Sequence, residues 1–133
     1  MPVGLVIVAH SQQLANGVRE VALQMTGGGV RIEAVGGAAG GALGTDAEAI
    51  ARAIAAADGP DGVLVLMDLG SAVLSTETAI EMLDGRLTGR VELSDAPLVE
   101  GAVVAAVEAA IGRSLDEVAQ AALNARHMTK VLR

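Results

Sequence analysis

Two short stretches constrain the fold of this chain more than any others. Val3–Ala9 (VGLVIVA) and Val63–Gly70 (VLVLMDLG) are almost wholly apolar. The first runs out into His10, and the second reaches Asp68 near its end. A strand with no polar face must be covered on both sides, which is the pattern of an inner strand in a parallel sheet. Helical spacing fills the gaps. Leu14, Val18, Val21, Ala22 and Met25 recur as one helix stripe, and Thr26–Gly29 (TGGG) closes it. Val30–Val35 (VRIEAV) alternates and reads as a second strand nearer an edge.

A plain glycine–alanine loop follows, with Thr45 or Asp46 as the N-cap of a helix through Ala57 and Glu48 in its first turn. Ser71–Leu83 reads as a helix with Ala72, Thr76, Ala79, Ile80 and Leu83 on one face. Arg90–Pro97 is a fourth strand and exit loop, and Leu98–Ile111 and Leu115–Arg126 are closing helices. The expected architecture is α/β: an open, mainly parallel sheet of about four strands with helices on both faces. Residues 1–126 form one domain, and 127–133 a tail or the start of a linker.

Composition narrows the function. Apolar residues make up 52% of the chain, yet Phe, Trp and Tyr are absent. The core must come from Val, Leu, Ile, Met and Ala, and 17 glycines allow elements to approach closely. Without cysteine there is no disulfide and no thiolate chemistry. A net charge of -7, with neither basic patch nor aromatic platform, argues against nucleic-acid binding. No apolar run is long enough to cross a bilayer, and the first lacks the basic leader of a signal peptide. A cytoplasmic protein with no membrane partner is expected.

In an open parallel sheet, ligands gather beyond the carboxyl ends of the strands. Those ends deliver His10 and Ser11, then Thr45 and Asp46, then Asp68, Gly70 and Ser71, and finally Ser94 and Asp95. Asp68 can hold one ring nitrogen of His10 and leave the other as a nucleophile. Gly70 and Ser71 open a helix, so their N–H groups face an anion. Histidine, orienting carboxylate and anion pocket together describe a phosphohistidine site, with His10 partly exposed so that a partner can reach it. Other chemistries fit less well. A serine hydrolase lacks its elbow, since DLGSA does not carry the flanking glycine pattern. A metal site lacks ligands, with His127 far away in the tail. The glycine loop matches neither nucleotide fingerprint. A phospho-aspartate receiver would want an acid cluster and a lysine. A flavodoxin-like binding module and a non-catalytic regulatory domain remain as rival readings.

LVIVAHS, GTDA, VLVLMDLGSA and APLVEGA occur in this order, and over Val3 to Ala122 the chain resembles a known family. It is similar to the phosphotransfer subunit of phosphoenolpyruvate-dependent dihydroxyacetone kinase, a relative of the mannose-type enzyme IIA domains. The motifs favour the dihydroxyacetone branch over a mannose-type sugar enzyme IIA. The resemblance implies a transferase subunit acting through phosphohistidine. His10 would carry the phosphoryl group on Nε2, and Asp68 would orient the ring. Ser11, Gly70 and Ser71 would bind phosphate, and Thr45 would lie near the site. The phosphoryl group would come from the histidine-containing phosphocarrier protein. It would pass to ADP on the kinase's nucleotide-binding subunit, and the resulting ATP would phosphorylate dihydroxyacetone on a third subunit. No metal or cofactor is expected on this chain, since Mg²⁺ would belong to the partner's nucleotide. Family members are usually homodimers.

Overall fold

The two apolar runs are the two inner strands of the sheet. The computed structural model describes residues 2–132. Four parallel strands, β1 (Gly4–Ala9), β2 (Ile32–Gly36), β3 (Val63–Met67) and β4 (Val91–Ser94), lie in the order β2-β1-β3-β4. Among the described residues five α-helices accompany them: α1 (Gln12–Thr26), α2 (Ala47–Ala57), α3 (Ser71–Met82), α4 (Leu98–Ala110) and α5 (Leu115–Asn124). Every residue of β1 is buried. Its alternation divides the core. Leu5, Ile7 and Ala9 join Leu64 and Leu66 of β3 under α1, α4 and α5, while Val6 and Val8 join Val63 and Val65 under α2 and α3. Each buried Val, Leu or Ile side chain among these stabilises the fold by about 1.5–3 kcal/mol.

With no aromatic residue to fill space, the layers close by bringing backbones together. α4 buries Ala102, Ala105, Ala106 and Ala109. At Gly101 a Cβ would stand 2.6 Å from the Ala96 Cβ and 3.2 Å from Leu66 Cδ2, so only glycine fits there. α1 ends on Gly27 with φ 67, the left-handed cap expected of the TGGG stretch.

Several expectations shift at their edges. The third strand stops at Met67, because the backbone turns at Asp68 into α3. β2 starts at Ile32, not Val30. The stripe on α1 is rotated: Ala15, Val18 and Ala22 are buried, while Leu14, Val21 and Met25 stand exposed. Small residues face the sheet where the helix lies close, and the larger ones flank that contact. The last helix ends at Asn124 and continues as a 3₁₀ turn, Ala125–His127. Beyond it, Lys130 Nζ pairs with Glu100 of α4 at 2.8 Å. No helix among the described residues is long and apolar enough to cross a membrane.

From β1 the chain crosses to β2 on one side, while β3 lies on β1's other side. The strand order reverses there, so a crevice opens beyond the carboxyl ends of β1 and β3. His10 and Asp68 are the first residues past those ends.

Candidate active site

Asp68 holds His10 at both main chain and ring. The His10 backbone N–H donates to Asp68 Oδ2 at 2.9 Å, and Nδ1 lies 2.9 Å from Oδ1. Oδ1 also accepts the Leu69 N–H at 2.8 Å, which fixes the carboxylate to its own turn. An ionised carboxylate only accepts, so Nδ1 carries the proton and Nε2 the lone pair. Nε2 accepts from the Ser71 hydroxyl at 2.8 Å. The imidazole is thus gripped on one nitrogen and lightly covered on the other. Its side chain is 26% exposed against 10% for Asp68, so the imidazole sits at the rim and its anchor lies behind it. Burial pushes the Asp68 carboxyl up. The His10 N–H, the imidazole and the Leu69 N–H together outweigh that and hold it below the ordinary carboxylate value.

The start of α3 is left without a side-chain cap. Gly70 occupies the cap position, and the first helical bonds run from Ala72 N–H to Leu69 O and from Val73 N–H to Gly70 O, both at 3.0 Å. The N–H groups of Gly70 and Ser71 precede those donors, at the positive end of the helix dipole. A cleft of about 300 Å³ adjoins them, lined by Asp68, Gly70, Ser94 and Asp95 among others. Ser94 accepts the Ala96 N–H at 3.0 Å and so shapes the turn after β4.

The other candidates are used differently. Ser11 caps α1, its hydroxyl accepting the Leu14 N–H at 3.3 Å, which leaves the hydroxyl proton free to donate. Asp46 caps α2 by accepting from Glu48 and Ala49 N–H groups. Thr45 Oγ1 meets Ser75 Oγ at 2.7 Å, and the preceding Gly44 N–H donates to the His10 carbonyl at 2.9 Å. His127 is exposed, with Arg126 Nε donating to its Nε2 at 3.3 Å. Sequence reasoning did not reach Gln12 and Ser75. Gln12 donates to Ala34 O and accepts the Gly36 N–H, both at 3.1 Å, tying the start of α1 to the end of β2.

Residues 4–119 match the family model described as PTS system fructose IIA component, EIIA-man. The chain belongs to this family. Over 122 residues it is 40% identical to the PEP-dependent dihydroxyacetone kinase 2 phosphoryl donor subunit DhaM of Listeria innocua serovar 6a, covering 92% of this chain and 98% of that protein. It is 46% identical over 126 residues to the phosphoryl donor subunit DhaM of Pantoea ananatis, covering 92% of this chain but 27% of that longer protein. A crystal structure described as unknown function protein EF1359 matches with a TM-score of 0.80 at 37% identity, covering 93% of this chain and 95% of that one. The Listeria and Pantoea relatives are both named as dihydroxyacetone kinase subunits, the branch that the sequence motifs favour.

Proposed function

We propose that this chain is a phosphohistidine carrier for a phosphoenolpyruvate-dependent dihydroxyacetone kinase. In this reading it accepts a phosphoryl group from the histidine-containing phosphocarrier protein. It passes that group to ADP on the kinase's nucleotide-binding subunit. One observation carries the reading: the Asp68–His10–Ser71 chain leaves an oriented Nε2 lone pair at the rim of the sheet, beside the uncapped end of α3.

The step balances on these residues. The Ser71 hydroxyl swings from Nε2 as the phosphorus approaches. The Nε2 lone pair forms an N–P bond while the bond to the donor's imidazole breaks, and the electron pair of that bond stays with the donor. The positive charge that develops on the ring faces Asp68, which holds the Nδ1 proton. The phosphoryl oxygens meet the Gly70 and Ser71 N–H groups and the released Ser71 hydroxyl. In the return step an oxygen of the ADP β-phosphate attacks phosphorus, and Nε2 recovers its lone pair. Positioning and charge neutralisation do the catalytic work, as phosphoryl transfer requires. This chain needs no metal or cofactor in the proposal, since Mg²⁺ travels with the nucleotide on the partner. The same reading places the protein in the cytoplasm, as a homodimer.

Incubation with phosphoenolpyruvate, the general phosphotransferase proteins and this chain tests the reading by intact mass. One acid-labile, base-stable phosphoryl group on the wild type, absent from His10→Ala, is the expected result. A phosphorylated His10→Ala protein, or an unmodified wild type beside a working control, would overturn it.

A further inference from the structure

The loop that runs past Ser11 and Gln12 to the His10 carbonyl has almost nothing to hold it. Residues 37–44 (GAAGGALG) offer no polar side chain. Their hydrogen bonds, Ala38 N–H to Ala42 O and Gly41 N–H to Ala38 O, are internal. Among the described residues, one backbone bond ties this segment to the rest of the molecule: Gly44 N–H to His10 O at 2.9 Å. The next residue, Thr45, meets Ser75 of α3 at 2.7 Å in a partly buried contact.

Ser75 stands four residues after Ser71, on the same face of α3. Its hydroxyl departs from the habit of its neighbours. Thr76 and Thr78 donate back to the carbonyls of Ala72 and Leu74, at 2.8 and 3.0 Å, as hydroxyls inside helices commonly do. Ser75 turns outward to Thr45. A closed circuit results. It runs from His10 O through Gly44 and Thr45 to Ser75, along one turn of α3 to Ser71, and back to His10 Nε2.

We infer that Ser75 is a positioning residue for the phosphoryl group on His10. It latches Thr45, holds the end of the glycine loop against the histidine, and keeps water from the phosphorus between the two transfers. This role rests on the carrier reading above. Its signature is the lifetime of the phosphorylated form, which water ends by attacking phosphorus and releasing inorganic phosphate, with the electron pair returning to Nε2.

The chain is loaded chemically with phosphoramidate, freed of reagent, and followed by intact mass. Ser75→Ala is expected to lose its phosphoryl group about fivefold faster than wild type, the effect of one ordinary hydrogen bond, with the melting temperature lowered by about 5 °C or less. Ser75→Thr, which keeps the hydroxyl, is expected to restore the lifetime. Thr45→Val breaks the same bond from the loop side and serves if Ser75→Ala folds poorly. Combined with Ser75→Ala it is expected to add nothing further. Equal lifetimes for wild type, Ser75→Ala and Thr45→Val would overturn the latch and leave the carrier reading intact. Failure of the loaded wild type to pass its phosphoryl group to any nucleotide-bound kinase subunit, with lifetimes ordered as expected, would overturn the carrier reading alone. A wild type that phosphoramidate leaves unmodified on His10 would overturn both.

Discussion

After β1 the chain enters α1 through Ser11, whose hydroxyl accepts the Leu14 N–H; after β3 it enters α3 through Gly70, which brings no side chain to the task. The two junctions lie side by side at the point where the strand order reverses. The first is closed by its own sequence, with Gln12 adding two bonds to β2. The second spends its polar groups on His10: Asp68 grips the ring, and Ser71 covers Nε2. A capped junction serves the fold. In the proposed function the uncapped one keeps its N–H groups for a visiting anion, at a cost in stability that the packed inner strands absorb.

The contrast can be broken from either side. Asp68→Ala releases the ring, and we expect phosphoryl acceptance to slow by about 10- to 100-fold, the loss seen when the carboxylate orienting a metal-bound histidine is removed. Rapid-quench kinetics with the phosphocarrier protein as donor would measure it, and a wild-type rate would remove Asp68 from the mechanism. Closing the open junction comes next. Gly70 has φ -57, and a Cβ there meets nothing within 4 Å, so a side chain fits. Gly70→Asp places a negative charge at this helix end that competes with phosphate, and acceptance is expected to fall about tenfold or more while Gly70→Ala stays near wild type.

Ser11→Ala opens the closed junction instead. Thermal or urea unfolding should show a loss of about 1 kcal/mol, with transfer slowed less than in Gly70→Asp. A larger effect on transfer than on stability would assign the Ser11 hydroxyl to phosphate and not to the cap. The smallest effect concerns acid. The Asp68 carboxyl is held below its ordinary value of 3.8, so its bonds to His10 and Leu69 stabilise the fold fully above that value. Their contribution is lost as pH falls toward the lowered one. Unfolding followed from about pH 5 down to about pH 3 should therefore fall less steeply for Asp68→Asn than for wild type. Parallel curves would show that the carboxylate adds no such linkage.

Much of this was legible in the sequence, for identifiable reasons. Inner parallel strands are uniformly apolar, so β1 and β3 announce themselves, and their polar ends mark His10 and Asp68. The alternation in Val30–Val35 correctly marked β2 as an edge. The helix and its Val18 and Ala22 are legible, but spacing alone does not say whether large or small residues otherwise face the sheet. In a core without aromatics, Ala15 and Ala22 pack inward and leave Leu14 and Val21 outside. The Thr45–Ser75 contact was illegible because it joins residues thirty positions apart through a loop with no pattern of its own. Its one local trace is the spacing of Ser75 from Ser71. Gln12 escaped notice because a glutamine at a helix start is ordinary until β2 is seen beside it.

The central claim is that Nε2 carries the phosphoryl group into the open end of α3. Nitrogen-15 NMR of the phosphorylated chain tests it most directly, reading the His10 ring nitrogens and the backbone amides together. The account predicts phosphorus on Nε2, a proton retained on Nδ1, large shifts at the Gly70 and Ser71 amides, and a quiet Leu14 amide under its Ser11 cap. Phosphorus on Nδ1, or unmoved Gly70 and Ser71 amides, would contradict it.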